Sequence, residues 1–275
     1  MRFRASALIS AAAAVLLAAA ISASAAEEPV DPCFDGNGTV KEVLDACAVY
    51  IAKGTDDKTL LIRAHSIRAM GFAATGSLDE ALSEMTAAVD IDPERANSYF
   101  MRAAGYDAKK DYDKAIADLD TAIGMKGDDA DYYLLRGQVY SHKNDFDKAL
   151  ADMNKKVELD PKAINGYESR GALYRKRKEY GLSIADYSEV VKIDPKHTQA
   201  YIDRGWVYVL NDDLDNAGAD FDTALKLQET NALALVGRGV VKSRKGKPTD
   251  GSADLRLAER LEPGIIDEVR KLGVK

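Results

Sequence analysis

Two cysteines, three histidines and one tryptophan are all that 275 residues contain of these types. A zinc site built on the cysteine pair needs two more ligands nearby, and His65, His142 and His197 are scattered along the chain. No glycine-rich phosphate loop, nucleophile elbow or metal-spaced His/Glu pair occurs. Acidic pairs such as Asp128-Asp129 and Asp212-Asp213 are not followed by a twelve-residue calcium loop; they read as helix starts. Positive charge is in deficit, with 38 Lys and Arg against 45 Asp and Glu, a formal net charge of −7. Such a chain is a poor partner for nucleic acid or an anionic membrane surface. Beyond residue 26 no apolar run approaches the ~20 residues of a membrane span. No catalytic residue, metal or cofactor is therefore expected. An enzyme with a helical-repeat body and an unrecognised site stands as the alternative.

The N-terminus has its own organisation. Met1-Arg2-Phe3-Arg4 is a short basic start, Ala5 to Ile21 is an apolar run, and Ala23-Ser24-Ala25-Ala26 supplies small residues for cleavage. That order is the pattern of a secretory signal peptide over residues 1–26, with an uncleaved anchor as the competing reading. Removing Arg2 and Arg4 with it moves the charge from −7 to −9. Export to the periplasm or a similar oxidising compartment makes Cys33 and Cys47, an isolated pair 14 residues apart, a candidate disulfide.

Most of the remaining chain repeats at 34 residues. Arg68, Arg102, Arg136, Arg170, Arg204 and Arg238 stand in one column, each followed by a small residue (Ala69, Ala103, Gly137, Gly171, Gly205, Gly239). Three residues after the small one come Phe72, Tyr106, Tyr140, Tyr174 and Tyr208, with Lys242 breaking the column. Asp92-Pro93, Asp160-Pro161 and Asp194-Pro195 close units late, and Pro263 is in register. The units are 62–95, 96–129, 130–163, 164–197, 198–231 and 232–265, each a pair of short helices. A single hairpin cannot bury its own apolar face, but stacked neighbours can. The expected fold is thus all-α, an α-solenoid.

Residues Tyr167…Arg170-Gly171…Tyr174 and Tyr201…Arg204-Gly205…Tyr208…Ala217…Phe221…Ala224 carry a family likeness. The pattern resembles the tetratricopeptide repeat over about 204 of the 275 residues, with Arg where that family has Leu. The resemblance implies a right-handed superhelix whose first helices line the concave side, and a protein or peptide partner. Some members clamp a partner's C-terminal carboxylate with Asn and Lys on those helices. Ser66, Met70, Phe100 and Ala104 stand there instead.

The arginine column needs a partner, because Lys and Arg are almost never fully buried unpaired. Sixteen residues after each stands an acid: Glu84, Asp118, Asp152, Asp186, Asp220 and Asp254. Pairing within the unit uses all twelve groups. Pairing with the preceding unit, 18 residues upstream, sets Arg68 against Tyr50 and Asp254 against Leu272, and is the less favoured arrangement. A bidentate carboxylate lets the guanidinium sit in a seam, so the column is structural.

At the ends, residues 27–61 hold the candidate disulfide and a capping helix over 39–53, with Val40, Val43, Leu44, Cys47 and Ile51 on one face. Residues 266–275 form a closing helix, the stripe being Ile265, Ile266, Val269 and Leu272. His65 takes a column held elsewhere by Tyr99, Tyr133, Tyr167, Tyr201 and Leu235 and is expected to pack; His142 and His197 read as solvated loop residues. Ile202, Trp206, Val209, Val236 and Val240 are apolar at first-helix positions that packing within a unit does not require. They form a candidate partner groove, unless the closing helix folds over them. Arg175 to Lys178 ends a first helix with four cations, read as a helix terminus before an acidic-partner patch. The reading is an exported scaffold or adaptor of the bacterial envelope, the envelope role resting on fold analogy.

Overall fold

The 34-residue period is written into the backbone of the computed structural model, which describes residues 31–271. At the hairpin turns, Gly76, Lys110, Asn144, Lys178, Asp212 and Gly246 all have φ between 62° and 83°. Each is the left-handed residue that ends a first helix. Behind it, the next amide returns to the carbonyl five residues back: Ser77 to Phe72, Asp111 to Tyr106, Asp145 to Tyr140, Glu179 to Tyr174, Asp213 to Tyr208 and Lys247 to Lys242, at 2.9 Å in every case. Only the first and last turns use glycine for this geometry. The other four hold a side chain in a region that costs L-residues roughly 1–2 kcal/mol, so the hairpin is enforced by packing and not by turn chemistry alone.

Fourteen helices occur among the described residues, in two compact units. The first unit, ending at Asp145, holds α1 (Val40–Lys53), α2 (Lys58–Ala74), α3 (Leu78–Ile91), α4 (Ala96–Ala108), α5 (Tyr112–Met125) and α6 (Ala130–His142). The second, from Phe146, holds α7 (Phe146–Leu159), α8 (Ile164–Lys176), α9 (Tyr180–Ile193), α10 (Thr198–Leu210), α11 (Leu214–Leu227), α12 (Ala232–Arg244), α13 (Pro248–Leu261) and α14 (Ile265–Arg270). The signal segment proposed for residues 1–26 lies outside the described residues, as does Leu272. Among the described residues no helix is long and apolar enough to cross a membrane.

Helix starts follow local chemistry. Thr39 and Glu42 form a reciprocal capping box on α1. The Asp57 side chain accepts from the amides of Thr59 and Leu60 on α2, and Asn231 from that of Ala234 on α12. Small residues then set how closely helices approach. A Cβ on Gly71 would stand 2.9 Å from Leu44 of α1, and one on Gly105 2.8 Å from Leu82 of α3. In the second unit a Cβ on Gly237 would fall 2.2 Å from the Phe221 ring, so α12 can lie against α11 only with glycine there.

In the first unit, the core around α4 and α5 holds Ala103, Ala115, Leu119, Ala122, Tyr132 and Val139. The α1 end has its own small core, in which Cys33, Cys47 and Ala64 are surrounded by Phe34, Val43, Tyr50, Ile51 and Ile67. Cys33 and Cys47 are joined as a disulfide (S–S 2.08 Å), and Phe34 meets Tyr50 edge to face at 4.8 Å. The closed loop is about 15 residues, for which chain entropy gives roughly 3 kcal/mol. Reduction is therefore expected to speed amide exchange in α1 while leaving the helices from Phe146 onward unchanged. Loss of protection across the second unit as well would show that the bridge does more than hold this end.

Candidate functional site

The arginine column is resolved residue by residue. Arg102 donates from Nε and Nη2 to the two Asp118 oxygens, both at 2.8 Å. Arg170 reaches Asp186 at 2.9 and 2.6 Å, Arg204 reaches Asp220 at 2.8 and 2.7 Å, and Arg238 reaches Asp254 at 2.8 and 2.9 Å. Arg68 binds Glu84 at 2.8 Å; the longer glutamate also meets His65 Nδ1 at 2.7 Å. His65 is thus packed and hydrogen-bonded. Arg136 lies in the first unit and the buried Asp152 in the second.

Four of the six forks have a further use that the spacing argument did not foresee. The remaining Nη1 turns to the residue 16 positions upstream, on the preceding second helix. Arg136 takes Asp120 (2.6 Å), Arg170 takes Asn154 (2.8 Å), Arg204 takes Ser188 (3.0 Å) and Arg238 takes Asp222 (3.1 Å). The between-unit contact thus goes to the residue 16 positions upstream and not to the acid 18 upstream, and in Arg170, Arg204 and Arg238 one planar fork makes it together with the within-unit pair. The guanidinium also lies over flanking tyrosines, as Arg204 does over Tyr201 and Tyr208 at 5.6 and 5.9 Å. Leucine could supply the packing but none of these bonds. Burial pushes the Asp220 carboxyl up even with Arg204 against it. At Asp254 burial also pushes upward, but hydrogen bonds from Arg238 and Lys242 outweigh it and the carboxyl is held low. Lys242 thus breaks the aromatic column to serve the same acid, at 2.9 Å.

The apolar first-helix set is placed differently from the open groove expected of it. Ile202, Trp206, Val209 and Val236 are buried in one core with Phe221, Leu235, Ile265 and Val269, and Val240 packs partly buried against it. Trp206 is 5% exposed and meets the Phe221 ring edge-on at 5.2 Å. The physical reason is the C-terminal end: α14 packs on α12 and α13 and brings Ile265 and Val269 into the same cluster. That tertiary contact has no signature at the tryptophan itself.

A polar cluster on the first helices was not anticipated as a unit. Gly171 of α8 lets the Tyr187 ring of α9 come close; a Cβ there would be 3.2 Å from the ring. Glu168 and Arg175, three residues before and four after Gly171, flank it on the same helix face. Arg175 Nη1 stands 3.6 Å from Asp203 Oδ1 on α10, and Gln199 donates to Asp203 Oδ2 at 3.1 Å. His197, the N-cap of α10, accepts the Ala200 amide on Nδ1 at 3.2 Å, and its Nε2 stands 3.5 Å from Glu168. It is a cap and not a free loop residue. His142 likewise bonds Asp107 at 2.8 Å and stacks on Tyr112.

Burial pushes the carboxyls of both Glu168 and Asp203 above the usual range, only partly offset by His197 at the first and by Arg175 at the second. Burial raises the Tyr187 phenol too. The rest of the basic run is engaged or structural: Arg177 pairs with Asp147 and Glu179, and Lys178 is the left-handed turn residue. Arg177–Asp147 belongs to a strut that recurs 30 residues apart, as Lys109–Asp79, Lys143–Asp113 and Lys245–Asp215. Its place between α9 and α10 is taken by Gly181 and Asn211, which form no ion pair. The polar cluster therefore lies at the joint without the strut.

Comparison with known proteins agrees with this architecture. A tetratricopeptide repeat family model matches residues 100–164 and 170–241. A tetratricopeptide repeat protein from Parabacteroides merdae is 20% identical, with a TM-score of 0.64 over 86% of this chain and 93% of its own. PilW, a type IV pilus biogenesis factor, is 17% identical, with a TM-score of 0.66 over 78% and 99%. YrrB, a repeat protein with an unusual peptide-binding site, is 20% identical, with a TM-score of 0.52 over 70% and 97%. Among curated proteins none matches. With its all-α chain of hairpins, arginine column and left-handed turns at one period, this protein belongs to the tetratricopeptide repeat family, of the α-solenoid class.

Proposed function

We propose that the chain is a non-enzymatic interaction scaffold or adaptor of the bacterial cell envelope, exported by a cleaved signal and holding a peptide or helix of a partner protein. The observation that carries this reading is the Glu168, Arg175, His197 and Asp203 cluster on α8 and α10, half-buried and displayed by the first helices. It replaces the apolar set around Trp206 as the binding surface, because that set is occupied by the core. YrrB, with its peptide-binding site, and PilW, a pilus factor, support the class of role by fold likeness. The disulfide supports an oxidising compartment.

The test is photocrosslinking in the envelope from a reactive residue at Asn165, exposed on α8, against one at Leu182, half-exposed on α9. A discrete adduct from position 165 and none from 182 is expected, on protein whose N-terminus begins near Ala26 or Glu27. Adducts from 182 alone, or equal from both, would place the partner elsewhere. An N-terminus at Met1 would overturn cleavage and favour an anchor.

A further inference from the structure

The dipeptide Asn-Gly occurs twice, as Asn37-Gly38 and as Asn165-Gly166. Both asparagines are exposed, so exposure does not separate them. The backbone does. Asn165 and Gly166 lie within α8, and Gly166 is buried, a Cβ there falling 3.0 Å from Lys156 Cγ and 3.2 Å from Val157 Cγ2. Asn37 and Gly38 lie in the loop ahead of α1, with Gly38 exposed at φ 102°. The amides on either side of Gly38 are anchored. That of Asn37 donates to Asp35 Oδ1 at 2.8 Å, and that of Thr39 to Glu42 Oε2 at 2.7 Å. Between these anchors, the Gly38 amide and the Asn37 side chain have no hydrogen-bond partner among the described residues.

Asparagine is among the thermolabile residues, and the hazard is intramolecular. The next backbone nitrogen and the side-chain carbonyl carbon can close a five-membered ring with no second molecule to recruit. Closure requires that rotation about ψ of the asparagine swing that nitrogen over the carbonyl. A helix holds ψ at about −42° and forbids the swing until it opens. A loop whose next residue is an exposed glycine permits it, because no side chain screens the nitrogen.

We infer that Asn37 is a site of spontaneous covalent modification, at which the Gly38 nitrogen attacks the Asn37 side-chain carbonyl and the residue is converted to isoaspartate and aspartate. The bond from Gly38 N to Asn37 Cγ forms as the Cγ–Nδ2 bond breaks. The Gly38 amide proton ends on Nδ2, which leaves as ammonia. Water then opens the cyclic imide, placing its hydroxyl on a carbonyl carbon and its remaining hydrogen on the nitrogen. Opening at Cγ gives aspartate; opening at the main-chain carbonyl gives isoaspartate, with the chain rerouted through the side chain. Water is the only co-reactant, so the inference is independent of the proposed partner.

Either product adds a negative charge to a chain already at −7. Isoaspartate also lengthens the main chain by one methylene just before the Thr39 N-cap. The Thr39–Glu42 capping box, with its amide bonds of 2.7 and 3.3 Å, closes on that segment and is the feature displaced. The first turn of α1 loosens, while Cys47 further along it stays tied to Cys33.

The test holds the full mature protein, disulfide intact, at mildly alkaline pH and growth temperature. Samples are mapped by mass spectrometry with electron-transfer fragmentation, which separates aspartate from isoaspartate. The Asn37 peptide is expected to yield both products. The Asn165 peptide is expected to convert about tenfold more slowly or less, since it waits on local opening of α8. In the reduced, urea-unfolded chain the two rates are expected to converge, because no helix then restrains either. Asn37→Gln is expected to abolish the acidic variant seen by isoelectric focusing, its side chain being one methylene too long for the five-membered ring. Modified protein is expected to exchange the amides of residues 40–43 faster, with α2 unchanged. Equal rates at Asn37 and Asn165 in the folded protein would overturn the site, as would an acidic variant that persists in Asn37→Gln. Aspartate without isoaspartate would overturn the Gly38 nitrogen as nucleophile, because direct hydrolysis gives that product alone. A rate difference that survives in urea would overturn the role of the fold, and unchanged exchange at residues 40–43 would overturn the loosening of α1.

Discussion

Replacing Trp206 by alanine is expected to destabilise the second unit by about 3–5 kcal/mol, the range for emptying a buried large aromatic. Trp206 is 5% exposed, lies edge-on to a fully buried Phe221, and shares a core with residues from α10, α11, α12 and α14. Little can collapse into the space, because Gly205 and Gly237 hold α10 and α12 against the same Phe221 ring. Leu182→Ala, at a half-exposed position, is the comparison and is expected to stay within about 0.5 kcal/mol of the parent. The measurement is urea denaturation followed by helicity and by tyrosine fluorescence. A Trp206→Ala protein as stable as Leu182→Ala would contradict the core placement and restore the apolar groove as a binding surface.

Arg204→Ala is expected to cost a similar amount, about 3–5 kcal/mol, but for an electrostatic reason. It strands Asp220, 5% exposed and already pushed upward by burial with the arginine present, and it unties Ser188 on the preceding second helix. Arg204→Met with Asp220→Leu is expected to recover most of the loss, since no charge is then buried alone. The two variants also differ in pH response. In Arg204→Ala the folded-state pKa of Asp220 rises further above its unfolded value, so stability returns as pH falls through that raised value. The double variant has no such group and shows no such recovery. Identical melting of single and double variants at every pH would mean that the bidentate pair contributes nothing beyond packing.

The repeat arithmetic makes clear why much of this was legible before any coordinates. A period of 34 with Arg, a small residue and an aromatic in columns constrains the hairpin, its close-packed face and the bidentate partner 16 residues on, all of them separations along one chain segment. The disulfide belongs to the same class: two cysteines in an exported-type chain have only each other. What stayed hidden involves contacts whose spacing crosses from one repeat to the next. In four of the six arginines Nη1 finds Asp, Asn or Ser, three residue types with nothing in common but an oxygen, so no column announces it.

The strut between neighbouring repeats and its replacement by Gly181 and Asn211 are similarly silent until the helices are placed. Two features turned wholly on tertiary structure. Hydrophobicity at Ile202, Trp206, Val209 and Val236 is the same whether a partner or α14 is the neighbour; α14 packing on α12 and α13 decides for the core. Conversely, Glu168, Arg175, His197 and Asp203 read one at a time as solvated helix charges. Only the approach of Tyr187 to Gly171, and of α10 to α8, removes enough water to make them a site. Sequence alone thus determined the repeat unit, its all-α class and its internal ion pairs, because those depend on short separations along the chain. Which surface remained free depended on desolvation, and that is set by whatever the rest of the molecule lays across each helix.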